Sequence, residues 1–228
     1  MTDNRQSVST QSGGSDVRPW GSLNWPNRIS IVRLLLVAPF VVLVMNQNEP
    51  DWPWARHAAL GIFVVMAFSD MLDGLLARRL NMRTRLGAML DPLADKALVI
   101  WSVVLLSLKE SAVAGSRLHN WVVVAVVGKD LWVIVGFIVV YLVTDRLRVR
   151  PTIAGKAATV GQLTMVITVL AAPDFNRLWP KLGTYMAWTM EYVVVGLSIL
   201  AVVSYTRLGL SFVAQHGKPL DAHNHKTP

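Results

Sequence analysis

Four aspartates fall within 26 residues of a chain whose composition is otherwise that of a membrane protein: Asp70, Asp73, Asp91 and Asp95. The stretch reads DMLDGLLARRLNMRTRLGAMLDPLAD, and it holds four of only fourteen acids in 228 residues. Carboxylates in apolar helices are costly unless a cation or a reaction requires them. Asp70 and Asp73 are spaced i,i+3, and Asp91 and Asp95 are spaced i,i+4, so each pair shares one face of a helix. Converging carboxylates repel one another and resist desolvation. Two divalent cations relieve both problems. An all-oxygen donor set suits Mg²⁺ or Mn²⁺, with waters and substrate phosphates completing the coordination. A two-metal centre of this type supports phosphoryl displacement. The alternative for each carboxylate is an ion pair with Arg78, Arg79, Arg83 or Arg85.

The elements that carry these residues are set by composition. The chain is 53% hydrophobic, and its apolar runs of about twenty residues each predict transmembrane helices. Six are expected, at roughly 27–46, 57–80, 87–108, 120–144, 155–172 and 184–208. The fold class expected is therefore all-α, a polytopic membrane protein with six transmembrane helices, because a helix satisfies its own backbone hydrogen bonds in lipid. The expected domain organisation has a disordered segment at 1–19, the membrane domain at 20–212 and a polar cytoplasmic tail at 213–228. Residues 1–19 lack an apolar core and do not read as a signal peptide. Trp20, Trp25, Trp52, Trp54, Trp121 and Trp179 fall near expected span ends, where Trp anchors at the headgroup layer.

The net charge of +8 invites a nucleic-acid reading, and the charge distribution argues against it. One side collects Arg5, Arg18, Arg28, Arg33, Arg78, Arg79, Arg83, Arg85, Arg146, Arg148, Arg150, Lys156, Arg207, Lys218 and Lys226. The other holds Arg56, Lys109, Arg117, Arg177 and Lys181. This asymmetry predicts both termini in the cytoplasm and a basic face toward anionic lipid headgroups. There are no cysteines, which removes disulfides and thiolate metal sites.

Around the acids, Gly74 and Ala77 keep one helix face small, which suits a ligand or close helix packing. Arg78 suits a phosphate through forked hydrogen bonds, or snorkels to the headgroups. An anionic acceptor would need cations, and Lys129, Arg148, Arg150 and Lys156 are the candidates. Lys129 can alternatively pair with Asp130 or snorkel, and the arginine run also serves as positive-inside charge. A divalent-cation path is a reading of a different class. Against it, all four acids cluster at one end, and the last two spans offer no ring of acids.

The string Asp70-x2-Asp73-Gly74-x2-Ala77-Arg78-x8-Gly87-x3-Asp91-x3-Asp95 resembles the signature of the CDP-alcohol phosphatidyltransferase family, with every fixed position filled. The resemblance implies metal binding by Asp70, Asp73 and Asp91, and second-metal contact plus general-base catalysis by Asp95. It places Gly74 and Arg78 on the CDP moiety and Thr84 near the nucleotide. Pro26-Asn27-x2-Ser30-x2-Arg33 resembles the family's opening of the first span, so Asn27, Ser30 and Arg33 would line the same pocket. It further implies two Mg²⁺ ions, CDP-diacylglycerol as donor, an alcohol acceptor, CMP as leaving group and a homodimer in a bacterial inner membrane, active at the cytoplasmic face. Bacterial members commonly take glycerol 3-phosphate, which gives phosphatidylglycerophosphate. Gly128-Lys129-Asp130 and RPTIAGKAAT at 150–159 are similar to the CMP-forming cardiolipin synthase branch, whose acceptor is phosphatidylglycerol. An inositol- or serine-type acceptor stays open.

Overall fold

In the computed structural model the described residues are 25–80, 85–144 and 152–216. Within them, the side chains of 25–31, 33, 70–80, 85–95, 137, 141, 143, 144, 213, 215 and 216 lie outside the description. The described chain is all-α: α1 Trp25–Met45, α2 Ala55–Leu80, α3 Arg85–Ser107, α4 Asn120–Thr144, α5 Ile153–Leu178 and α6 Leu182–His216. The disordered segment expected at 1–19 lies outside the described residues. So does most of the expected tail, although α6 runs on to His216.

The expectation of six full spans is corrected. Among the described residues three helices are long and apolar enough to cross a membrane: Asn120–Val140, Ile153–Leu178 and Leu182–Phe212. The apolar stretches of the other three are Leu34–Met45, Ala55–Ser69 and Lys96–Ser107, each of 10–17 residues. Charged residues of the motif adjoin two of these stretches, those of α2 and α3. The last part of α2 carries Asp70, Asp73, Arg78 and Arg79, and the first part of α3 carries Asp91, Asp95 and Lys96. The expected spans 57–80 and 87–108 include those charged turns.

Helix periodicity accounts for the packing. The buried positions Val37, Phe40 and Val44 on α1, Ala59, Phe63 and Met66 on α2, and Val99, Val103 and Leu106 on α3 recur every three or four residues, one apolar stripe per helix. Phe40 meets Phe63 with ring centroids 5.7 Å apart. On α6 the buried stripe is Ala187, Glu191, Val194, Ser198 and Ala201, and it faces α5 and α4. Among the described residues α5 and α6 share the most extensive contact. A side chain at Gly183 would overlap the carbonyl oxygen of Ala172, and Lys181 turns the chain between the helices with φ 65°.

Outward faces stay apolar. Val124, Leu131, Trp132, Ile134, Val135, Ile138, Val139 and Leu142 of α4 are exposed. Such a surface is a liability in water and suits lipid. Pro173 lies inside α5, and the helix continues past it to Leu178. That is six residues beyond the expected end at 172.

The end of the bundle away from the motif is tied by polar contacts. Gln47 Nε2 donates to Ser111 O at 2.6 Å, and Asn48 Nδ2 donates to Glu110 O and Ala112 O. Arg117 Nε donates to Ser107 O at 2.7 Å. Thr184 Oγ1 donates to Gly115 O at 2.8 Å. These bonds satisfy carbonyls at the end of α3 and in the connection to α4 that would otherwise lie unpaired.

Candidate active site

The motif falls on two consecutive helices. Asp70, Asp73, Gly74 and Arg78 lie on the last turns of α2, which ends at Leu80. Asp91 and Asp95 lie on the first turns of α3, which begins at Arg85. The two pairs of acids thus lie on consecutive helices, on either side of residues 81–84, which are outside the described ones. The side chains of these residues lie outside the described ones, as do those of Asn27, Ser30 and Arg33 on α1, and Thr84, Arg148 and Arg150 lie outside them entirely. Among the described residues no group of three or more His, Asp or Glu is placed to hold a metal ion. The donor set on α2 and α3 is four carboxylates at helical spacing with no thiol or imidazole among them, which fits hard divalent cations.

The described charged cluster nearest this motif joins α3 to α4. Asp130 Oδ1 accepts from Lys129 Nζ at 2.9 Å and from Lys96 Nζ across the helix contact. Lys129 and Asp130 are buried. They follow Val122 and Val126 on the inward face of α4, so helical register alone carries them inward. Lys129 is therefore held by Asp130, one of the two partners that its position allowed. Lys96 follows Asp95 directly in α3, which puts the cluster one residue from the motif.

Lys156 is exposed near the start of α5, separate from that cluster. Thr152 caps this helix, its Oγ1 accepting from Gly155 N at 3.0 Å. Gly155 is crowded by Tyr205 of α6, whose hydroxyl would lie 2.6 Å from an added Cβ. At the same end Trp132 Nε1 donates to Thr206 Oγ1 at 3.0 Å, pinning α4 to α6.

Lys96 and Asp130 were not singled out as site residues on the sequence. The available signal was a charge pair inside an apolar run, which marks a functional position in a membrane helix. Glu191 and His119 form a second polar pair, 2.7 Å apart, at the far end of the bundle, away from the motif. Arg56 and Asp174 form a third at that far end.

A family model described as CDP-alcohol phosphatidyltransferase matches residues 23–215. The chain is 28% identical over 205 residues to the cardiolipin synthase (CMP-forming) of Oryza sativa subsp. japonica, covering 86% of this chain and 60% of that protein's length. It is 29% identical over 193 residues to the CDP-diacylglycerol–glycerol-3-phosphate 3-phosphatidyltransferase of Aquifex aeolicus, covering 84% of this chain and 98% of the relative. It is 30% identical over 189 residues to CDP-diacylglycerol–glycerol-3-phosphate 3-phosphatidyltransferase 2 of Arabidopsis thaliana, covering 78% and 77%.

Proposed function

The chain belongs to the CDP-alcohol phosphatidyltransferase family, and from that premise we propose that it transfers the phosphatidyl group of CDP-diacylglycerol to glycerol 3-phosphate, releasing CMP. The observation that carries this reading is the complete motif, carried on the consecutive helices α2 and α3. The names of the Aquifex and Arabidopsis relatives support the acceptor.

The donor's acyl tails stay in lipid while its diphosphate reaches the polar ends of α2 and α3. Gly74 leaves room for the CDP moiety, and Arg78 offers a fork of donors to a phosphate. Asn27, Ser30, Arg33 and Thr84 complete the nucleotide pocket. Asp95 accepts the proton of the acceptor hydroxyl. The freed oxygen attacks the β-phosphorus, a new P–O bond forms, the diphosphate P–O bond breaks, and CMP departs with the electron pair. Asp70, Asp73, Asp91 and Asp95 would hold two Mg²⁺ ions (or Mn²⁺), whose chemistry is to neutralise the charge of the diphosphate. The chain's own contribution is orientation of the two substrates. Lys129, Arg148, Arg150 and Lys156 supply positive charge for the acceptor. The active face is cytoplasmic, and the working unit is a homodimer in the membrane.

A second reading takes phosphatidylglycerol as acceptor, giving cardiolipin. Gly128-Lys129-Asp130 and the stretch 150–159 favour it, as does the name of the rice relative. One assay separates the two. Purified protein receives labelled CDP-diacylglycerol and Mg²⁺ with either glycerol 3-phosphate or phosphatidylglycerol. Phosphatidylglycerophosphate is the expected product. Cardiolipin instead would establish the second reading, and absence of CMP release with every acceptor would overturn both.

A further inference from the structure

The inward face of α4 begins apolar and then turns charged. The Lys129 and Asp130 side chains are only 5% and 7% exposed. Lys129 and Lys96 converge on one oxygen of Asp130, Oδ1. Its other oxygen, Oδ2, is buried and has no hydrogen-bond partner among the described residues. Among the described side chains this cluster has two ammonium groups and one carboxylate, so it has donors to offer a further anion. The way in is through Lys96, whose side chain is 41% exposed. Lys96 is also the neighbour of Asp95 in α3.

We propose that Asp130 is a positioning residue that holds Lys96 and Lys129 as a paired-ammonium site for the phosphate of the acceptor alcohol. This rests on the reading given under Proposed function, and adds Lys96 and Asp130 to it. Lys96 donates to the phosphate directly. Asp130 fixes where that ammonium lies by anchoring it to α4, and Lys129 supplies the second charge that makes the cluster cationic. The ligand chemistry is a phosphate that carries a free hydroxyl elsewhere in the same molecule. Glycerol 3-phosphate and the headgroup of phosphatidylglycerol both have it, whereas free glycerol has the hydroxyl without the phosphate.

The test is steady-state CMP release by the full chain in detergent, with glycerol 3-phosphate and phosphatidylglycerol as separate arms. Lys96→Met and Asp130→Asn are expected to raise the acceptor KM about tenfold or more, with the CDP-diacylglycerol KM held within about twofold. Lys96→Arg, which keeps the charge, should restore the acceptor KM to within about threefold of the parent. Lys109→Met, at the far end of the bundle, serves as control. The arm in which the KM moves identifies the source of the phosphate. Equal effects on both substrates, or a fall in kcat with the acceptor KM unchanged, would overturn the proposal while CMP release by the parent leaves the family reaction standing. A titration of the protein with inorganic phosphate, read by ³¹P NMR, needs no turnover. Saturable binding in the parent that weakens in Lys96→Met supports the site, and absence of binding in the parent refutes it. Lys96 is partly exposed, so its variants carry the test even where Asp130→Asn does not fold.

Discussion

Arg56 and Asp174 meet fork to fork: Nη1 lies 2.7 Å from Oδ2 and Nη2 lies 2.7 Å from Oδ1. Nη1 also donates to Leu170 O at 2.7 Å, and His57 Nε2 lies 3.2 Å from Oδ1. The pair ties the first turn of α2 to the last turns of α5, so it fixes the far end of the helix whose other end carries Asp70 and Asp73.

Breaking that fork should loosen the bundle rather than remove a reacting group. Asp174→Ala strips the charged partner from Arg56, whose side chain is 12% exposed. Loss of hydrogen bonds to a charged group costs about 1.5–3 kcal/mol. The expected result is a clear fall in Tm in detergent. Arg56→Lys should fall partway, since Lys cannot reproduce the fork. An unchanged Tm in Asp174→Ala would show that the pair contributes nothing net.

Gly183→Ala should be the more damaging of two glycine changes. Its new Cβ meets backbone, the carbonyl of Ala172, and backbone of a packed helix cannot step aside. Overpacking of this type costs about 1–3 kcal/mol, sometimes more. Gly155→Ala meets the ring and hydroxyl of Tyr205 instead, a side chain that can rotate. Thermal unfolding of the two variants side by side should rank them in that order.

Asp95→Asn should lower CMP release by roughly 10²–10⁴-fold, the usual contribution of a positioned base. Binding of CDP-diacylglycerol, measured by equilibrium titration, should survive in large part. Normal turnover in this variant would remove Asp95 from the proton-accepting role.

Chelation should act at the same place. Excess EDTA is expected to suppress CMP release by roughly 10²-fold or more, and added Mg²⁺ or Mn²⁺ should restore it. Activity that persists through exhaustive chelation would contradict the reading of the four aspartates as a cation-binding set.

The sequence alone determined the parts that local chemistry encodes. Asp70, Asp73, Asp91 and Asp95 declare themselves by spacing, because i,i+3 and i,i+4 on a helix need no tertiary information. The existence of α1 to α6 follows in the same way from apolar runs. How much of each helix can lie in lipid did not follow. A run such as residues 57–80 is apolar on average, yet its last turns carry Asp70, Asp73, Arg78 and Arg79. Partnerships between helices were decided only by the tertiary structure. Arg56 and Asp174 are 118 positions apart, and Lys96 and Asp130 are 34 apart. Helical periodicity says which face each residue occupies. Which face of which helix it meets depends on packing the apolar stripes of all the helices at once, and no local pattern records that outcome.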